Sequence, residues 1–277
     1  MKTTVVIATR NRAGELARTL RELADLRPRP PIIVVDNAST DDTAEVVRAA
    51  GPEVRLLALP RNLGAAARNL GVTAARTPYV AFSDDDSWWA PDALAKAESL
   101  FDRHPRLGLI AGKTLVGPEN RPDPVVELMA RSPLGREPGG PGPAVLGFLA
   151  CSAIVRVRAF SDCGGFDPLL HFGAEEKLLS YDLAARGWQL CYVEEIVAHH
   201  HPSPSRMPAA RRRRLEARNN LLITWLRRAP KNCLAATVSA PPRAVAGAAR
   251  RLPRVLRQRQ RLPREVEARV RLLEGTP

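Results

Sequence analysis

The chain reads as an α/β protein: a sheet flanked by helices, with a basic helical extension behind it. Two patterns predict this. Short β-branched runs alternate with amphipathic stretches over the first third of the sequence, and the excess positive charge is collected at the C-terminal end. Strands that alternate with helices imply parallel pairing through right-handed crossovers.

Taken in order, Thr4–Ala8 is a short apolar run of the kind buried on both faces of a parallel sheet. Leu16, Leu20 and Leu23 recur at i, i+4 and i+7 and predict a helix. Ile32–Val35 is a second strand, closed by Asp36-Asn37. Ser39 or Thr40 is expected to cap the next helix, with Asp41 and Asp42 in its first turn. Val54–Leu59 is a third strand. Asn62-Leu63-Gly64 is a turn, and Ala65–Ala75 is a helix of small residues. Tyr79–Phe82 is a fourth strand, followed by Ser83-Asp84-Asp85-Asp86. Pro91 is expected to open a helix reaching about His104, and Leu107–Ala111 is a fifth strand.

The middle of the chain is less regular. Glu119–Pro143 is rich in Pro and Gly and predicts a long loop, which in a compact domain points to function. Val145–Val157 is an apolar strand region, and Gly164–Asp167 is a turn. Glu175–Arg186 is a helix with Leu179 and Leu183 inward, Asp182 on the surface and Gly187 as its stop. Leu190–Val193 and Ile196–Ala198 are short strands leading into His199-His200-His201. Beyond them, Leu215, Leu222 and Leu226 follow Arg211–Arg214, and Leu262, Val266, Val270 and Leu273 share a face behind Pro263. No internal repeat is present.

The chain has 277 residues, enough for one sizeable core and an appendage. Its net charge is +13, but residues 206–277 alone carry +15 and residues 1–205 carry −2. The excess is therefore a property of the extension and not of the body. Four cysteines, Cys151, Cys163, Cys191 and Cys233, have no zinc or CxxC spacing, and buried reduced thiols are expected. Met1–Thr4 leads straight into a strand, so no signal peptide is expected. The longest mid-chain apolar stretch, Val145–Val155, is too short to span a bilayer. A cytoplasmic location is expected, with peripheral association at the inner membrane face as an extension of it.

In parallel sheets ligands bind outside the carboxyl ends of the strands. Thr9, Arg10, Asp36 and the Asp84–Asp86 run all follow predicted strands, so they should converge on one edge. Three adjacent carboxylates repel one another, and a divalent cation relieves that; oxygen ligands suit magnesium or manganese. Asp36 is placed either to close an Asx turn or to accept from a nucleobase or ribose. Arg68 is either an exposed helix arginine or a contact for a base or diphosphate. Glu175 and Glu176 either complement a helix N-terminus or act as general base, since neighbouring like charges raise a carboxyl pKa. His199 and His201 share one strand face, with His200 opposite, and the triplet offers an imidazole ligand.

Five segments in order give a resemblance. Val5–Arg12, Ile33–Asp41, Asn62–Asn69, Ser83–Asp86, and Gly164–Asp167 with Glu175-Glu176 and Arg186–Trp188 resemble the motifs of a family 2 glycosyltransferase, over roughly residues 3–205. The resemblance implies a GT-A type, Rossmann-like central mixed sheet flanked by helices. It implies a nucleotide-sugar-binding half at 1–112 and an acceptor-binding and catalytic half at 113–205; the Arg-rich helical extension at 206–277 lies outside it and rests on the charge pattern. It assigns the nucleotide to Thr9, Arg10, Asp36, Arg68, Asp84 and Asp85, with Asp84 on the ribose. It assigns Asp86 to Mn2+ or Mg2+ and Glu175 or Glu176 to the acceptor proton; His199 and His201 join the metal set on the residue pattern, since the histidine cluster fits the family only loosely. The implied reaction is inverting transfer from a nucleoside-diphosphate sugar, UDP- or TDP-linked, to a hydroxyl of a saccharide, a lipid-linked saccharide or a small natural product. The acid pair departs from the Glu-Asp of many relatives, being Glu175-Glu176 with Asp182 at the later position.

Two other classes are weighed by the residues. A sugar nucleotidyltransferase would need a Gly-rich basic triphosphate loop, whereas Thr9–Gly14 has one glycine. A non-catalytic protein binding anionic surfaces would use the extension, where each cation near a membrane contributes ~1 kcal/mol. Nucleic acid is disfavoured, because Trp225 is the extension's one aromatic residue and offers no stacking platform.

Overall fold

The computed structural model describes residues 1–205 and 207–275; Arg206, at the start of the extension, and Thr276 and Pro277, at its end, lie outside the described residues. The first half lays down β1 (Thr3–Thr9), α1 (Ala13–Ala24), β2 (Ile32–Asp36), α2 (Thr43–Ala49) and β3 (Val54–Ala58). A 3-10 turn at Gly64–Ala66 then leads into α3 (Ala67–Ala74) and β4 (Tyr79–Ser83). After it come β5 (Ser87–Trp89), α4 (Ala93–Arg103), β6 (Leu107–Val116), β7 (Arg121–Pro122), α5 (Pro124–Ala130), β8 (Ala153–Arg156), α6 (Val157–Asp162), α7 (Glu175–Ala185) and β9 (Gln189–His200). The described residues of the extension form five helices: α8 (Ala209–Arg227), α9 (Pro230–Ser239), α10 (Pro242–Ala249), α11 (Leu252–Gln258) and α12 (Arg264–Glu274).

The strands form one mixed sheet in the order β3-β2-β1-β4-β8-β6-β9-β5, with β7 paired to β6. β3, β2, β1 and β4 run parallel, as the alternation predicts. β8 enters antiparallel between β4 and β6, and β9 runs parallel to β6. Both faces of the sheet are apolar. Along β1, Val5 and Ile7 enter the core that includes Leu16, Leu20 and Phe101, while Val6 enters the other, with Phe82, Phe166 and Leu222. That is the period-2 alternation of a strand covered on both sides.

Several expectations are corrected. Glu119–Pro143 contains β7 and α5; Asp123 caps the helix, accepting from Val125 N at 2.9 Å, with Pro124 in its first turn. Only Ala153–Arg156 of the apolar Val145–Val157 region is strand, and the two short strands before the histidines are one, β9. The helix after Pro91 begins at Ala93, and Ser87–Trp89 forms an additional strand against β9. Neither Ser39 nor Thr40 caps α2. Asp41 accepts from Thr43 N at 3.2 Å and from Thr43 Oγ1 at 2.5 Å, while Ser39 and Thr40 hold Asn11.

The extension is docked on the body. Leu221, Leu222 and Leu226 of α8 join the core under α7, and Leu262, Val266 and Val270 are buried with them. Asp182, expected at the surface, is buried and takes a two-pronged ion pair from Arg227 at 2.5 and 2.9 Å. Arg228 in turn pairs with Glu267 and Glu274 of α12. All four cysteines are free thiols. Among the described residues no helix is long and apolar enough to cross a membrane.

Candidate active site

The carboxyl ends of β1, β2 and β4 are in register: Thr9 stands beside Asp36, and Ile7 beside Ser83. The polar residues after each strand therefore meet along one edge. Asp36 is buried and its Oδ1 accepts from Ser39 N at 2.9 Å, so its carboxylate closes the Asx turn. Asp85 turns inward. It accepts from Thr9 Oγ1 at 2.8 Å, and its backbone carbonyl accepts from Thr19 Oγ1 at 2.8 Å. Burial, with Asp84 and Asp86 alongside, pushes its carboxyl up to about 7 against the Thr9 hydrogen bond. Arg10 is exposed at the same edge.

Asp84 accepts a hydrogen bond from Arg68 Nη2. Arg68 is buried, with Phe166 5.9 Å from its guanidinium carbon. Burial opposes its charge, but Asp84, Glu175 and Glu176 outweigh that and hold it firmly protonated. It is thus the cation that four acidic and aromatic neighbours share, and not an exposed helix arginine.

Asp86 is held by the strand behind it. Its backbone carbonyl accepts from His201 N at 2.8 Å, its Oδ2 accepts from Ser203 N at 2.9 Å, and His200 Nε2 lies 3.2 Å from its Oδ1. One ligand atom each from Asp84, Asp86 and His200 all lie within 4.8 Å of one another. Two carboxylates and an imidazole make a donor set that suits Mn2+ or Mg2+. The histidines assigned from sequence are on the other face: His199 Nδ1 is 2.8 Å from Asn120 Oδ1, and the His199 and His201 rings lie 5.8 and 4.6 Å from Trp88. The β5–β9 register, with Ser87 opposite His200 and Trp88 opposite His199, sets which histidine meets the aspartates. A cleft of about 440 Å3 lined by Trp88, Trp89, His199 and His201 opens on that far face and contains none of Asp84, Asp85 and Asp86.

Glu175 and Glu176 open α7 after a segment of unusual backbone, with φ +62 at His171, +91 at Gly173 and +63 at Ala174. That segment touches the donor-side turn: His171 O accepts from Ala65 N at 2.7 Å. A Cβ on Gly64 would lie 2.0 Å from the same oxygen, so only glycine fits there. Burial pushes the Glu175 carboxyl above its usual range, and pushes Glu176 up to about 8 with the Glu175 charge adding to it. Arg68 pulls both the other way. Glu175 Oε2 is buried with no hydrogen-bond partner.

Three asparagines that sequence reasoning passed over hold the parts together. Asn37 receives Leu63 N and donates to Gly64 O, at 2.9 and 3.1 Å. Asn69 exchanges two 2.9 Å bonds with the Phe166 backbone. Asn219 of α8 donates to the carbonyls of Leu170, Phe172 and Gly173 at 3.0, 2.9 and 2.5 Å. Asn37 and Asn69 sit inside the motifs that carry the resemblance, which is the signal that pointed to them.

Known proteins similar to this chain bear on its family and fold. The family model described as "Glycosyl transferase family 2" matches residues 4–164. A "Pre-mycofactocin glycosyltransferase" of Mycobacterium tuberculosis is 34% identical over 222 residues, covering 76% of this chain and 45% of that protein. An "N-acetylglucosaminyl-diphospho-decaprenol L-rhamnosyltransferase" of the same species is 28% identical over 242 residues, covering 74% and 78%. Among solved structures, the mannosyltransferase PcManGT from Pyrobaculum calidifontis, in complex with GDP-Man and Mn2+, superposes with a TM-score of 0.65 at 22% identity, covering 98% of this chain and 78% of that one. S. aureus TarS 1–349 in complex with UDP-GlcNAc gives 0.64 at 18% identity, covering 92% and 72%. The chain spans less than half the length of the first relative. It belongs to glycosyl transferase family 2 and has the GT-A type fold, a mixed sheet flanked by helices.

Proposed function

We propose that this glycosyltransferase moves a sugar, with inversion, from a UDP- or TDP-linked donor to an acceptor hydroxyl, and that a divalent cation assists. The reading is carried by one observation: buried Glu175 and half-buried Glu176, both with raised proton affinity, share the field of Arg68 with Asp84, which lies with Asp86 and His200 in a set that could bind a cation. The complexes of similar structures with GDP-Man and Mn2+ and with UDP-GlcNAc support a nucleoside-diphosphate sugar as donor.

Asp84, Asp86 and His200 would hold the cation, which when bound supplies a Lewis acid for the departing diphosphate. Thr9, Arg10 and Asp36 lie where the strand ends would meet the nucleoside. Arg68, charged and fixed by Asp84, adds positive potential between donor edge and base. One carboxylate of the Glu175–Glu176 pair accepts the acceptor's hydroxyl proton. The acceptor oxygen forms its bond to the anomeric carbon as the bond to the diphosphate oxygen breaks, from the opposite face. A carboxyl tuned upward toward neutral pH is a stronger base for that proton than an ordinary one. A lipid-linked saccharide is the acceptor class that fits the basic extension, and the decaprenol-linked substrate in one relative's name supports it.

Calorimetry with UDP, TDP and GDP, with and without manganese, tests the donor half. Metal-dependent binding of one nucleotide, lost in Asp86→Ala, is expected; no binding by the folded wild type would sink it. The anomeric configuration of the product, read by proton NMR, tests inversion.

A further inference from the structure

The extension carries an acid-free run. Residues 217–264 contain twelve Arg and Lys and no Asp or Glu. Part of this charge is turned inward: Arg227 and Arg228 are buried in ion pairs, and Arg259 donates to backbone carbonyls and to a thiol. Lys231, Arg243, Arg250, Arg257 and Arg261 are exposed.

The same run presents apolar side chains to solvent. α9 has no buried residue. It is tied to α8 through Thr237, whose hydroxyl accepts from Trp225 Nε1 at 2.9 Å, and through Cys233, whose thiol faces Thr224 O at 3.4 Å. Thr237 and Cys233 are four apart and mark the inner face. Leu234 and Val238, also four apart, lie on the outer face together with Lys231, at 69% and 78% exposure. On α11, Val255 is buried while Leu252 and Leu256 are exposed. Exposed leucines and valines among cations, with no counter-charge in the run, are the composition of a surface that enters an anionic lipid interface.

We infer that α9 and α11 form a docking surface for an anionic bilayer, with Leu234 and Val238 entering the headgroup region and Lys231, Arg243, Arg250 and Arg257 meeting lipid phosphates. Its use rests on the lipid-linked acceptor proposed above, but the binding itself does not. Charge complementarity selects this occupant. A nucleic acid would meet the arginines but give the leucine and valine nothing to enter. A second copy of the same face would bring like charge against like charge.

Flotation with phosphatidylcholine vesicles, and with roughly three-to-one phosphatidylcholine–phosphatidylglycerol vesicles, reads the binding directly. Wild type is expected to bind the anionic vesicles alone, less as salt rises. Leu234→Asp with Val238→Asp should lower the partition at least about tenfold, and Arg250→Ala or Arg257→Ala about fivefold each. Circular dichroism and nucleotide binding in solution serve as the folding check. Equal binding to both vesicles, or anionic binding untouched by the Leu234 and Val238 changes, would overturn the inference. So would a dimer in sedimentation that the same changes dissociate without any vesicle binding, or duplex DNA bound more tightly than the vesicles. Lost nucleotide binding with intact vesicle binding would count against the transferase reading and leave this one standing.

Discussion

The side-chain amide of Asn219 donates to the carbonyl oxygen of Gly173 at 2.5 Å, from a helix of the extension to the turn just ahead of Glu175. Leu170 and Phe172 offer their carbonyls to the same amide, and Asn219 is fully buried. Leu170 O also accepts from Phe172 N at 2.8 Å and from Arg218 Nη2 at 3.0 Å, so the side chain of Asn219 matters most for Phe172 O and Gly173 O, in a segment with three residues at positive φ. The helix that sequence reading treats as a basic tail holds the proposed base in place.

Replacing Asn219 by Ala removes its donation to Phe172 O and Gly173 O, at about 1–3 kcal/mol, while Leu170 O keeps Phe172 N and Arg218 Nη2. The turn should loosen, so kcat should fall about tenfold or more, while nucleotide affinity, set at the strand ends, stays near wild type. Steady-state kinetics beside calorimetry check this. Equal losses in both would assign Asn219 to general stability instead.

The glutamate pair predicts a pH limb. With Glu176 at about 8 and Glu175 raised, kcat/KM should climb with pH, pass half its plateau near 8 and level off above it, since only an ionised carboxylate of the pair accepts a proton. Stability moves the other way. The folded state holds protons that the unfolded chain releases near the ordinary carboxyl value, so stability is fullest below that value and is lost as pH rises toward 8. Glu176→Gln should abolish the kinetic limb and flatten thermal stability across that window. A wild-type profile flat from pH 5 to 8 would count against the pair as base.

The histidine triplet offers a discriminating set. His200→Ala should weaken manganese-dependent nucleotide binding about tenfold or more, as loss of a metal ligand does, because His200 meets Asp84 and Asp86. His199→Ala and His201→Ala, facing Trp88, should leave it near wild type. Titration of the three variants with nucleotide and Mn2+ decides. The reverse ranking would return the site to the other face of the strand.

Asp182 and Arg227 form a buried pair, so removing one charge strands the other. Arg227→Met should cost about 3–5 kcal/mol in denaturant unfolding, and pairing it with Asp182→Leu should recover most of the loss. A single variant costing under about 1 kcal/mol would mean that water reaches the pair.

How far this was legible depends on the range of the interactions. Thr9, Asp36 and Asp84 could be placed at one edge because an apolar run ending in polar residues is a local pattern, and parallel strands bring such ends together. The second half depends on distant pairings. Nothing near His200 says that Ser87 lies opposite it, so alternation gave the two faces of β9 but not which one meets the aspartates. Burial of Arg68 and Asp182 comes from helices contributed by remote parts of the chain. α5 was missed because its Pro- and Gly-rich flanks outweighed a readable start, Asp123 followed by Pro124.

Arg228 is buried and reaches Glu267 and Glu274 on α12, while Arg227 beside it reaches Asp182 on α7. A chain shortened ahead of α12 would keep Arg228 in the interior with both counter-charges gone, and the disturbance would begin one residue from the link to α7. Removing α12 is therefore expected to disturb the seat of α7, and an inactive shortened preparation says nothing about whether the residues at the strand ends are competent.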